Sequence, residues 1–258
     1  MSKHQQAQAL DITAIDPGLG PDLGCTLQDM VLDSPDVGDF LCHFSSLAAS
    51  RFSTDTKTVM CGVTVVRRKR GVVAASSDER ARRLDTLQNS FGDGPCLTAL
   101  RDRSVVYVAD TTAESRWPQY MKAVRKEGIG SILAVALELA GEAEAVMNLY
   151  CVPAAGFGEP RILAAEAFAE HGAVSLRLAL RIAHLKHTRD DLTSAMQSRT
   201  VIDNAVGIVM AQNRCGREAA FRIIADSSSH RNIKLHDVAA SIVASVAGER
   251  KVTAHFEE

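Results

Sequence analysis

Hydrophobic positions along the chain follow two rhythms, and the change falls near residue 159. From Asp36, the residues Val37, Phe40, Leu41, Phe44, Leu47 and Ala48 recur at helical spacing behind Ser34 and Pro35, which suit a cap and a first-turn proline. That pattern predicts a helix to Phe52. Residues 58–66 (TVMCGVTVV) and 72–76 are rich in β-branched side chains and flank the polar run RRKRG, which predicts a β-hairpin with an exposed turn. A charged helix is expected over 78–89, ended by the Gly92-Asp93-Gly94-Pro95 cluster, and 105–109 (VVYVA) reads as a buried strand. A polar helix over 119–127 then precedes two strands, 132–139 and 145–152, joined by the turn Ala140-Gly141-Glu142. Strands arriving as hairpins, with helices between and around them, predict an antiparallel α+β domain over 26–175 rather than a βαβ alternation. Residues 1–25 lack periodicity and read as a loose arm, with order beginning near Leu27.

After Glu159-Pro160 no strand-like run follows, and Ala, Leu and Ile recur at helical spacing over roughly forty residues. Within 176–197, Leu178, Ile182, Leu185, Arg189, Leu192 and Met196 follow a 4-3-4-3 spacing, the seam of a short coiled coil. A homodimer is expected from this seam. Arg189 is its polar interruption, and a parallel pair would bring two guanidinium groups together unless Asp190 or Asp191 offsets them. Residues 198–247 carry three further apolar faces: Ile202, Ala205, Val206, Val209 and Met210; Ala220, Phe221, Ile223 and Ile224; and Leu235, Val238, Ala239, Ile242, Val243 and Val246. Breaks at 213–216 and 227–232 make this an all-α three-helix unit too small to bury much alone. It should lean on the preceding helix or on a second subunit. Residues 248–258 read as a tail.

Charge sharpens the division. Lys and Arg number 29 and Asp and Glu 31, so the net charge of −2 excludes a chain-wide electrostatic grip on nucleic acid or an anionic membrane. The balance is −5 over residues 1–176, +4 over 177–247 and −1 over 248–258. A less basic first part therefore precedes a modestly basic helical one.

The six cysteines are dispersed without a CxxC pair, which fits reduced thiols in the cytoplasm. The longest uncharged apolar stretch, 128–137, is about half of the ~20 residues a membrane span needs, and MSKHQQAQALDITAID holds no apolar signal core. No membrane partner is expected. His184 and His187 lie one helical turn apart without a third nearby ligand, so no metal is expected. Gly92-Asp93-Gly94 lacks the Gly-Lys-Ser/Thr ending of a phosphate loop and reads as a structural turn. No nucleophile, base and orienting group fall into a catalytic set, so the chain is read as non-enzymatic and without a cofactor.

The stretch 198–243 carries Ile202, Ala205, Gly207, Ile208 and Met210, then Ala220-Phe221, then Asn232-x-Lys234-Leu235 and Asp237-Val238-Ala239. In this ordered set it resembles the ANTAR family of three-helix RNA-binding antitermination modules. The preceding hairpins, the GDGPC segment at 92–96, Trp117-Pro118 and the closing helix look like the GAF-type sensor found ahead of ANTAR in actinobacterial regulators. The Asn-Lys…Phe…Asp-Glu pattern of GAF domains that bind cyclic nucleotides is not placed along this chain, so a small-molecule effector is left unidentified.

The resemblance implies a regulator whose paired modules hold tandem hairpin loops in a leader transcript. Its RNA-binding candidates are Arg199, Ala205, Gly207, Arg214, Arg231, Asn232 and Lys234; its dimerisation candidates are Leu178, Ile182, Leu185, Leu192 and Met196. Ala205 and Gly207 equally suit close helix packing. Asn232 suits a cap of the third helix, with Lys234 beside the positively polarised start of that helix. Two alternatives stand: a GAF-linked DNA-binding regulator with the third helix in the major groove, and a GAF-based redox enzyme using Cys61, Cys96 and Cys151, which otherwise serve as small hydrophobes.

Overall fold

The computed structural model describes residues 22–67, 70–139 and 144–247. The expected arm over 1–21, the hairpin tip Arg68-Lys69, the turn Ala140-Gly141-Glu142 and the tail 248–258 lie outside the described residues. The elements run α1 (Leu23–Asp33), α2 (Val37–Phe52), β1 (Val59–Arg67), β2 (Arg70–Ser76), α3 (Glu79–Phe91), α4 (Pro95–Asp102), β3 (Val106–Val108), α5 (Pro118–Lys126), β4 (Ser131–Leu137), β5 (Glu144–Cys151), α6 (Glu159–Asn213), α7 (Arg217–Arg231) and α8 (Leu235–Ala247). Two compact units divide between Ala183 and His184, within α6.

In the first unit the strands form one sheet in the order β2-β1-β5-β4-β3, antiparallel throughout. Period-two alternation sends successive side chains to opposite faces, and here both faces are covered. Cys61 and Val63 of β1, Leu133 and Val135 of β4, and Met147 and Leu149 of β5 pack with α1, α2 and the first part of α6. Met60, Ile132, Ala134, Val146 and Tyr150 point the other way, against α3, α4 and α5. Burying both faces explains why these strands read as nearly continuous apolar runs. The first core closes through Phe168, whose ring centroid lies 5.1 Å from that of Phe44 and 5.7 Å from that of Phe52. Each such buried ring or aliphatic group contributes about 1.5–3 kcal/mol relative to exposure.

Local chemistry sets the element ends. Asp36, rather than Ser34 and Pro35, caps α2, accepting from the Asp39 N–H at 3.0 Å. Asp78 caps α3 through the N–H groups of Arg80 and Ala81, and Gly92 ends it in the left-handed region at φ 69°. Order begins earlier than expected. Leu23, Leu27 and Val31 fall at four-residue intervals on one buried stripe of α1, so residues 23–25 are helical rather than part of a loose arm.

One helix, α6, of 55 residues from Glu159 to Asn213, runs through the expected domain boundary between residues 197 and 198. Val201, Ala205, Val206 and Val209 of α6, Ala220 and Ile224 of α7, and Val238 and Ala239 of α8 form the core of the second unit. On α7 only the Ala220–Ile224 stripe is buried; Phe221 is 44% and Ile223 46% exposed. At 3.6 residues per turn these two fall roughly 80° to either side of the stripe, so the apolar face read from the sequence is wider than the one that packs. No helix among the described residues is long and apolar enough to cross a membrane.

Candidate nucleic-acid interface and sensor core

Two turns of the second unit gather exposed cations. At the first, Arg214 adopts φ 50° after α6, and the Asn213 side-chain amide donates to the Val209 carbonyl at 3.1 Å. Arg217 opens α7 and reaches Asp203 at 2.6 Å, while Arg199 approaches the same carboxylate at 3.7 Å. Both arginines remain largely exposed, and exposed pairs of this kind are worth only about 0–1 kcal/mol. Exchanging Asp203 for a phosphate therefore costs these guanidinium groups little.

At the second turn Asn232 sits at φ 51° and ends α7, with its N–H against Ser229 O at 3.3 Å and the Ile233 N–H against Ser228 O at 3.1 Å. The cap expected at the start of the third helix is thus a cap at the end of the second, because Asn tolerates the left-handed region a helix end needs. Lys234 takes the cap position just before α8 instead: its carbonyl accepts from Asp237 at 2.9 Å and from Val238 at 3.2 Å, and its side chain is exposed.

The predicted residues are therefore not one cluster. Arg199 and Arg214 belong to the α6–α7 end and Arg231, Asn232 and Lys234 to the α7–α8 end. The 15 residues of α7 between them span about 22 Å. Gly207 is exposed, with open space where a side chain would stand. Ala205 is 0% exposed and packs in the core, so of its two readings the structure supports helix packing and removes it from the contact surface. Arg217 and Arg222 were not singled out from the sequence; with Phe221 they line one surface depression at the start of α7.

The expected seam is divided as well. Leu185 is 57%, Leu192 61% and Met196 61% exposed in the single chain, and every residue from 184 to 196 is exposed. Leu178 is also exposed, whereas Ile182 packs partly against the first core. Arg189 donates to Asp190 Oδ1 at 3.1 and 3.0 Å, one of the two carboxylates expected to offset it.

The sensor side holds one buried polar cluster that sequence reading missed. Asp85 of α3, 0% exposed, accepts through Oδ1 from the Tyr150 hydroxyl at 2.5 Å and the Asn148 amide at 2.8 Å. Gly62 stands opposite Asn148 in the β1–β5 register, and a Cβ there would lie 1.8 Å from Asp85 Oδ2, so glycine leaves the room this carboxyl occupies. Asp85 Oδ2, Gln88 Nε2 and Thr64 Oγ1 are buried without a hydrogen-bond partner. Burial pushes the Asp85 carboxyl up to about 7, against the opposing pull of the hydrogen bonds from Tyr150 and Asn148. The same burial drives the Cys96 thiol up to about 12 and raises Cys61 well above the ordinary thiol range, so both sulfurs are held as thiols rather than nucleophilic thiolates. The sequence signal was available in α3: Asp85 falls on the stripe formed by Ala81, Leu84 and Gln88.

Residues 46–177, just over half of the chain, match the GAF domain family model, and residues 190–243 match that of the ANTAR domain. The chain is a GAF domain protein with an ANTAR domain behind the sensor. The GAF match covers the sheet, α3 to α5 and the first part of α6; the ANTAR match takes in the rest of α6 from residue 190, α7 and most of α8. ANTAR is an RNA-binding antitermination domain and GAF a sensor domain, an architecture that belongs to a regulator. Among solved structures, the GAF domain of a phosphoenolpyruvate-protein phosphotransferase from Coxiella burnetii is similar at 16% identity and a TM-score of 0.46, covering 65% of this chain and 95% of its own. Free methionine-R-sulfoxide reductase from Neisseria meningitidis is similar at 16% identity and a TM-score of 0.45, covering 62% and 89%. No curated protein matches the chain.

Proposed function

We propose that this GAF–ANTAR chain is a cytoplasmic, dimeric antitermination regulator whose two ANTAR modules each hold one hairpin loop of a tandem pair in a leader transcript, under the control of a small-molecule effector at the GAF domain. The observation that carries the RNA reading is the set of exposed basic groups at the two ends of α7: Arg199, Arg214 and Arg217 at one, Arg231 and Lys234 at the other. A hairpin loop offers phosphates and unstacked base edges to such a surface. Asn232 adds an amide beside Arg231 and Lys234, and Gly207 leaves α6 open to close approach.

The DNA-reading alternative needs α8 to present base-reading side chains in a major groove. Residues 235–247 (LHDVAASIVASVA) contain no Lys, Arg, Asn or Gln, and Val238 and Ala239 are buried, which favours RNA. The dimer reading is supported by the exposed Leu178, Leu185, Leu192 and Met196, a seam that a second copy would cover. Joining two modules raises the effective concentration of the second on a tandem target, typically strengthening binding by 10²–10⁴-fold.

Leu185→Asp places a charge in that seam. Sedimentation should show the wild-type chain as a dimer and the variant as a monomer, with the variant's affinity for a tandem-hairpin RNA at least about 100-fold weaker and its affinity for a single hairpin unchanged. Equal affinity of the two proteins for the tandem RNA would refute the dimer mechanism.

A further inference from the structure

The first turns of α7 expose an aromatic ring among arginines. Arg217, Glu218, Phe221 and Arg222 together line one surface depression of the second unit. Arg217 precedes Phe221 by four residues, one helical turn, and so lies on the same side of the helix as the ring, while Arg222 flanks the depression from the next position. Arg217 is tied to Asp203, which Arg199 also approaches, and Glu218 stands one turn before Arg222. Counting Arg199, Arg217 and Arg222 against Asp203 and Glu218, this end of the unit keeps a positive balance. The core does not need the ring, since the buried stripe of α7 is Ala220 and Ile224.

We propose that Phe221 is the platform on which an unpaired loop base of the RNA stacks, with Arg217 and Arg222 taking the adjacent phosphates. The inference rests on the RNA-binding reading above and adds the residue that engages a base rather than a charge. An unpaired base offers an open π-face to such a ring, whereas a duplex spends those faces on its own stack. The positive rim complements a phosphate backbone, which commits the depression to nucleic acid rather than to an apolar protein segment.

The test compares two synthetic tandem-hairpin RNAs, one a pool with randomised loops and one with the same stems and abasic loops, against the full-length chain. Base–aromatic stacking predicts that the wild-type protein prefers base-bearing loops by about 5- to 150-fold. Phe221→Ala loses that preference and Phe221→Tyr, which retains the ring, keeps it. Arg222→Ala weakens binding to both RNAs alike and lowers the dependence on salt. Phe221→Ala that still prefers base-bearing loops as the wild type does would overturn the stacking role while leaving RNA binding standing. A Phe221→Ala change in sedimentation with unaltered RNA affinity would also overturn it, by showing that protein covers the ring. Wild-type protein that binds neither RNA would overturn the RNA reading itself, and this inference with it.

Discussion

Asp85 carries an unusual load for a single side chain. Its carboxyl lies between α3 and the sheet with two donors on one oxygen and none on the other. Unfolding returns it from about 7 to its ordinary 3.8, so between those values the folded protein binds more protons than the unfolded chain. Stability from this group is therefore fully retained below about pH 4, falls as pH rises and levels off above about 7, a loss of up to about 4 kcal/mol. Asp85→Asn keeps the acceptor for Tyr150 and Asn148 and removes the ionisation. Its melting temperature should rise relative to wild type as pH is taken from 4 to 7, and a constant difference across that range would contradict the buried-acid assignment. A second residue separates structure from recognition. In the left-handed region Asn232→Ala should cost about 1–2 kcal/mol in denaturant unfolding, whereas Asn232→Gly should cost almost nothing. If RNA affinity falls alike in both, the side-chain amide touches RNA; if it follows stability, the residue is a cap alone.

At the scale of elements, sequence periodicity located most helices and strands because each buries a regular stripe. The largely apolar runs of β1, β4 and β5 and the three- and four-residue spacing of α2 and α6 were legible for that reason. α1 was not, since its stripe is only Leu23, Leu27 and Val31 among polar neighbours. Periodicity also overstated α7: it gives the direction of an apolar face but not its width, which the packing of α6 and α8 narrows to Ala220 and Ile224. The candidate RNA residues were legible by type and family resemblance, yet their division between the two ends of α7, and the burial of Ala205, depend on how three helices pack. The burial of Asp85 was legible on the α3 stripe, but its partners were not. Asn148 and Tyr150 are 63 and 65 residues away, and only the β1–β5 register, with Gly62 beneath, brings them together.

At the scale of the molecule, near-neutral charge conceals a division of labour. The −5 over residues 1–176 belongs to the part that holds the GAF sheet, and the +4 over 177–247 to the part that holds the ANTAR helices. With so modest an excess, position matters more than total charge, and the proposed reading surface lies at the ends and exposed face of α7. The most direct test is a gel-shift competition on the full-length chain, with a tandem-hairpin RNA displaced by either unlabelled hairpin RNA or duplex DNA of equal length at several salt concentrations. Unlabelled RNA should compete and duplex DNA should fail to compete at the same concentration, with the gap persisting as salt rises. Duplex DNA displacing the RNA at equal concentration throughout the salt series would contradict the RNA reading.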